Sequence, residues 1–225
     1  MVLMMVVLVG CTPPGPLSEG ERTSPRPSPS GEGVASRALE NIDSLMWRQP
    51  DSALTVMLEF AGSEAADGLD AFEGHYCQVL VAELLFKNYY AQSNRAEVLK
   101  AVRYFDSIVG MDGADARGAS VQERDAFLDA RAHYMNGVGY YERDSLIEAC
   151  GEYLNALRIM EAHFEEKILV GHKARFMTLT YNRLGDLFSA QFMQEPAIYC
   201  CKQSLAYDRI AQASPDKIAN TLLQL

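Results

Sequence analysis

The stretch Tyr134–Ala156, YMNGVGYYERDSLIEACGEYLNA, decides the fold. It divides into two helical segments around a short polar turn, Glu142-Arg143-Asp144. Gly137 and Tyr140 lie on the first segment; Ala149, Tyr153 and Ala156 lie on the second. Small side chains at Gly137 and Ala149 let two helices approach closely, while Tyr140 and Tyr153 fill the space beside the crossing. Ser145 with Glu148 three residues on has the form of a capping box at the start of the second helix.

Outward from this pair the chain repeats. Counted in steps of 48 residues, the Ala149 position is alanine four times: Ala53, Ala101, Ala149 and Ala197. One helical turn further on stand Met57, Phe105, Tyr153 and Cys201, on the same face of each helix. The next face position carries Phe60, Ile108, Ala156 and Ser204. First helices agree less closely. Gly185 and Phe188 repeat Gly137 and Tyr140, and Tyr181, Leu184 and Phe188 form one amphipathic stripe. The segments His75–Tyr90 and Ala38–Trp47 are helical in pattern but lack the glycine. Pro50, Pro196 and Pro215 each fall at the start of a helical pattern, where a missing N–H costs nothing, and none interrupts a helix interior. The body therefore reads as all-α.

The small and aromatic residues at Gly137, Tyr140, Ala149, Tyr153 and Ala156, repeated at Gly185, Phe188 and Ala197, resemble the tetratricopeptide repeat. The 48-residue step exceeds that family's usual ~34 residues, through longer helices or longer connections such as 109–120 with its three glycines. The resemblance implies an α-α superhelix of about four antiparallel helix pairs over residues 34–225, whose inner face receives a protein or peptide partner. Carried onto the two best repeats, the family's groove positions are Arg131, Tyr134, Val138 and Tyr141, then Leu179, Asn182, Arg183 and Asp186. The segment from Pro215 onward reads as the opening of a further first helix, so the array is expected to continue beyond Leu225.

The N-terminus has a different character. Residues 1–10, MVLMMVVLVG, are too short an apolar run to span a bilayer and read as the core of a signal peptide, although no basic residue precedes them. Leu8-Val9-Gly10-Cys11 resembles a bacterial lipobox, which implies cleavage before Cys11 and lipidation of its thiol. Two or three acyl chains on that residue would hold the protein stably at a bacterial envelope membrane. Residues 11–33 carry six of the nine prolines and almost no apolar side chains, which predicts a flexible tether spanning about 25 Å.

Composition narrows the function classes. With 225 residues, 48 % hydrophobic, a packed core is feasible, and a net charge of −10 disfavours nucleic-acid partners. The four cysteines other than Cys11 (Cys77, Cys150, Cys200 and Cys201) match no zinc or haem spacing, and neither His75-Tyr76-Cys77 nor Cys200-Cys201 completes a ligand set. No nucleophile elbow, phosphate loop or zinc-protease helix is present, so no enzyme, cofactor or metal site is expected. Lys167, Lys173, Arg175 and Arg183 form a basic run without an intervening acid. The expectation is an exported, lipid-anchored scaffold acting through protein–protein contacts. The alternative is the sensory arm of a signalling protein whose output part follows this chain.

Overall fold

The computed structural model describes residues 33–91, 94–110, 119–165 and 169–222. Among them every regular element is a helix, and the chain divides into two compact units, Met1–Tyr104 and Phe105–Leu225. The first unit contains α1 (Val34–Met46), α2 (Pro50–Ala61), the single turn α3 (Glu64–Asp67) and α4 (Ala71–Lys87). Helix α5 (Arg95–Gly110) carries the division within it. The second unit continues with α6 (Ala119–Tyr141), α7 (Leu146–His163), α8 (Gly171–Ala190), α9 (Gln194–Ile210) and α10 (Pro215–Leu222). The signal-peptide, lipobox and tether expectations, 1–10 and most of 11–33, lie outside the described residues, as do Lys167 and most of the glycine-bearing connection.

In the first unit α1 packs on α2, and α4 packs on both. Leu39, Ile42 and Met46 on α1 are buried, as are Ala53, Met57 and Phe60 on α2. Polar bonds fix the arrangement: the Tyr76 hydroxyl donates to Asp43 at 2.7 Å, and the Asn88 amide donates to the Leu84 and Pro50 carbonyls at 2.8 and 3.2 Å. A capping box stands at α4, where the Asp70 carboxylate accepts from the Glu73 N–H and Glu73 accepts from the Asp70 N–H. Ahead of α5 the Asn94 side chain donates to the Gln78 carbonyl at 2.9 Å.

In the second unit α6 pairs with α7 and α8 with α9, while α7 meets α8 and α9 meets α10. The first two positions of the 48-residue register fall on the buried face in every repeat. Ala53, Ala101 and Ala149 are fully buried, Ala197 nearly so, and Met57, Phe105, Tyr153 and Cys201 are all buried. At the third position Phe60, Ala156 and Ser204 are buried and Ile108 is half-buried. Gly137 sits under the Tyr153 ring: a Cβ there would come within 2.7 Å of it. The same atom at Gly185 would make ordinary contacts, 3.6 Å to the Cys200 Cβ and 3.8 Å to the Cys201 sulfur. Tyr140 and Phe188 are half-buried beside the crossings.

Four turns share one geometry. Tyr89, Asp144, Phe192 and Gln212 adopt left-handed φ values of 62°, 59°, 59° and 54°. In each case the following N–H reaches back five residues: Tyr90 to Leu85, Ser145 to Tyr140, Met193 to Phe188, and Ala213 to Asp208, at 2.9–3.1 Å. This is the Schellman arrangement, which satisfies carbonyls that a helix end leaves open. It also overturns the capping box expected at Ser145. That residue is the N-cap of α7, but its side chain makes no cap bond, and its N–H already donates to the Tyr140 carbonyl. A box would require that same N–H for Glu148. At α10 the N-cap falls one residue later than the turn, and Ser214 Oγ accepts from the Lys217 N–H at 3.4 Å. Pro50 and Pro215 open α2 and α10, and Pro196 lies in the first turn of α9.

Candidate functional site

The expected groove residues separate into two environments. On α6, Arg131, Tyr134 and Val138 are 1–3 % exposed and therefore line no open groove in this structure, while Tyr141 is half-buried. Arg131 is the largest fully enclosed side chain among the described residues, with its guanidinium 5.3 Å from the Phe127 ring centre. Tyr134 packs its ring against Tyr153 and Phe176, at centroid distances of 5.4 and 5.6 Å. These positions build the α6–α7–α8 core.

On α8 the picture differs. Leu179, Asn182 and Arg183 are half-buried and Asp186 is exposed. A surface pocket of about 180 Å³ is lined by Asn182, Gly185, Asp186 and Ser189 of α8 and by Cys201 of α9. Arg183 lies 5.8 Å from the Tyr141 ring and 3.7 Å from the Asp186 carboxylate. Burial opposes its charge, but the surrounding Tyr134, Tyr153 and Asp186 outweigh that and hold the guanidinium above its ordinary pKa. Burial raises the Asp186 carboxyl, and Arg183 pulls the other way. The result is a small polar face with an amide, a carboxylate and a cation braced from behind, a surface suited to backbone or side-chain hydrogen bonds from an extended chain.

The basic run does not form a continuous cationic patch across the described residues. Lys173 pairs with Glu123 at 3.1 Å and sits over the Phe164 ring at 4.3 Å, and Arg183 turns toward Tyr141. Cys200 and Cys201 are buried free thiols, and Cys150 is a free thiol that is half-buried. Burial first, then the neighbouring Cys201 and Cys150, pushes the Cys200 thiol up to about 11, so it is not a reactive nucleophile at neutral pH.

Among the described residues, one cluster of titratable side chains left no mark in the spacing of motifs. His133 on α6 is 5 % exposed, and its Nδ1 lies 2.6 Å from Glu152 on α7. Its Nε2 faces Asp106 on α5 at 3.2 Å and Asp129 on α6 at 3.8 Å. Burial, followed by the Asp106 and Glu152 charges, raises the Asp129 carboxyl to about 7 against the opposing pull of His133. Burial disfavours a charged His133, but the bond to Glu152 and the charge of Asp129 more than compensate, so its pKa is raised. The signal in the sequence was Asp129 and His133 at i and i+4, one face of one helix. Asp106 and Glu152 arrive from other helices, and no spacing rule connects them.

Comparison of the chain with protein-family models, with characterised proteins and with solved structures returns no match.

Proposed function

We propose that this chain is an exported, lipid-anchored scaffold whose helix pairs form a tetratricopeptide-like superhelix and bind a protein segment along α8. The observation that carries the reading is the recurrence of one pair geometry: buried alanines in a 48-residue register and Schellman turns of the same form at Asp144 and Phe192. Pairs that repeat a packing mode stack into arrays that present an extended surface to partners. The α8 face supplies such a surface, because Asn182 and Asp186 line the pocket and Leu179, one turn before Asn182, is only half-buried.

The test uses the two polar residues of that face that line the pocket, Asn182 and Asp186, and leaves Arg183, which is braced against the core, unchanged. The double variant Asn182→Ala with Asp186→Ala is expected to keep its circular dichroism and melting temperature while weakening partner capture by ~1–3 kcal/mol. Partners are captured from an envelope extract by the parent protein and then titrated individually against both forms. If every partner binds both forms equally, α8 is not the recognition surface.

A further inference from the structure

We propose that Asp106, Asp129 and His133 bind a divalent first-row transition-metal ion such as Zn²⁺, with Glu152 holding the imidazole in place. The three ligand atoms, one from each residue, lie within 4.8 Å of one another, with His133 Nε2 at 3.2 Å from Asp106 Oδ1 and 3.8 Å from Asp129 Oδ1. Ligands about 2.0–2.2 Å from a common ion stand roughly 3–4 Å apart, so the group needs little adjustment to close around one.

The cluster has features that acidic surface groups lack. Asp129 is 1 % exposed, and its Oδ1, the atom turned toward His133, has no hydrogen-bond partner. A buried carboxylate oxygen left in that state costs free energy that a cation would recover. Three carboxylates (Asp106, Asp129 and Glu152) surround one imidazole, so even a protonated His133 leaves the site net negative in a desolvated place.

The imidazole is oriented for ligation. Glu152 accepts from Nδ1–H at 2.6 Å, which presents Nε2 to the other two carboxylates, the carboxylate–histidine–metal relation that sets tautomer and ring direction. Binding displaces the Nε2 proton to solvent. Asp106 is half exposed and opens the site on one side, leaving further coordination positions to water. A nitrogen donor beside two carboxylates selects borderline ions such as Zn²⁺ over Mg²⁺ or Ca²⁺, which prefer all-oxygen sets.

The experiment is calorimetric titration of the EDTA-stripped full chain with ZnCl₂, with CoCl₂ absorbance as a reporter of ligand type. Saturable binding of one equivalent is expected, with an upward shift in melting temperature. Asp106→Asn, Asp129→Asn and Glu152→Gln should each weaken Zn²⁺ by about tenfold or more, whereas Glu148→Gln on the exposed side of α7 should change nothing. The Co²⁺ spectrum should show weak visible bands without thiolate charge transfer. Asp106→Asn keeps the test decisive if the buried Asp129 variant misfolds, since Asp106 is at the surface. No saturable binding, a thiolate band pointing to cysteines, or unchanged affinity in Asp106→Asn would overturn the assignment.

Discussion

Gly137 and Gly185 occupy the same place in successive helix pairs, yet they carry different constraints. The Tyr153 ring stands where the Cβ of residue 137 would be, at 2.7 Å, and Tyr153 is itself fully buried and cannot move aside. Gly137→Ala is therefore expected to destabilise by ~1–3 kcal/mol through overpacking. At Gly185 the nearest atoms leave room, so Gly185→Ala should be neutral or stabilise by up to about 1 kcal/mol through helix propensity. Denaturant melts of the two variants decide the matter, and equal effects would contradict the difference in packing. His75 gives a second residue-scale prediction. Burial lowers its pKa to about 4, against a partial rise from Glu97, and its Nδ1 is buried without a hydrogen bond. The folded state thus binds the proton less tightly than the unfolded chain. Its contribution is fully present above pH 6.5 and is lost as pH falls toward 4, by of the order of 2 kcal/mol given its partial exposure. The stability difference between the parent and His75→Gln should change over that interval; a constant difference would place the pH sensitivity elsewhere.

At the scale of helices and turns, the four Schellman turns stand out for what they lack. None uses glycine at the left-handed residue, and two present nearly fully exposed aromatics there, Tyr89 at 98 % and Phe192 at 91 %. A side chain in that conformation costs roughly 1–2 kcal/mol, part of which glycine would give back in unfolded-chain entropy. Tyr89→Gly and Phe192→Gly should each raise stability by about 0.5–1 kcal/mol, and Asp144→Gly by less, because aspartate tolerates the region better. A Phe192→Gly variant that melts lower would show that its ring contributes packing. The alanine register was legible because a fixed step recurs on one helical face. Ser145 and Glu148 have the spacing of a capping box, but the Schellman turn takes the N–H that the box needs, and spacing alone does not show this. Helix α3 left no periodic signal in its single turn.

For the molecule as a whole, the pairing of helices could be read from residues and the exposure of their faces could not. Helix α6 carries Asp125, Asp129, Arg131, His133 and Asn136, a set that suggests a solvated surface, yet all five are buried. His133 meets Glu152 and Asp106 from other helices, and such partnerships are invisible to spacing along one helix. The lipobox reading of Leu8-Val9-Gly10-Cys11 carries a prediction at this scale: the mature protein begins at a lipidated Cys11 and fractionates with membranes, and Cys11→Ala blocks that processing. Mass spectrometry of the N-terminus checks it, and an intact Met1 or an unmodified Cys11 would refute it. The second unit's register has a separate bearing on how such a chain changes over generations. Between its two pairs the small residue (137, 185), the left-handed turn (144, 192) and the buried alanine (149, 197) all recur at the same interval. A segment cut at one turn and rejoined at the next removes or adds a whole pair, and every remaining contact face keeps its phase. A gain or loss of one residue inside a helix instead rotates the buried face by about 100° and exposes it. Duplication in whole pairs thus keeps the packing in phase as such an array lengthens, and small indels are expected to fall in the connections.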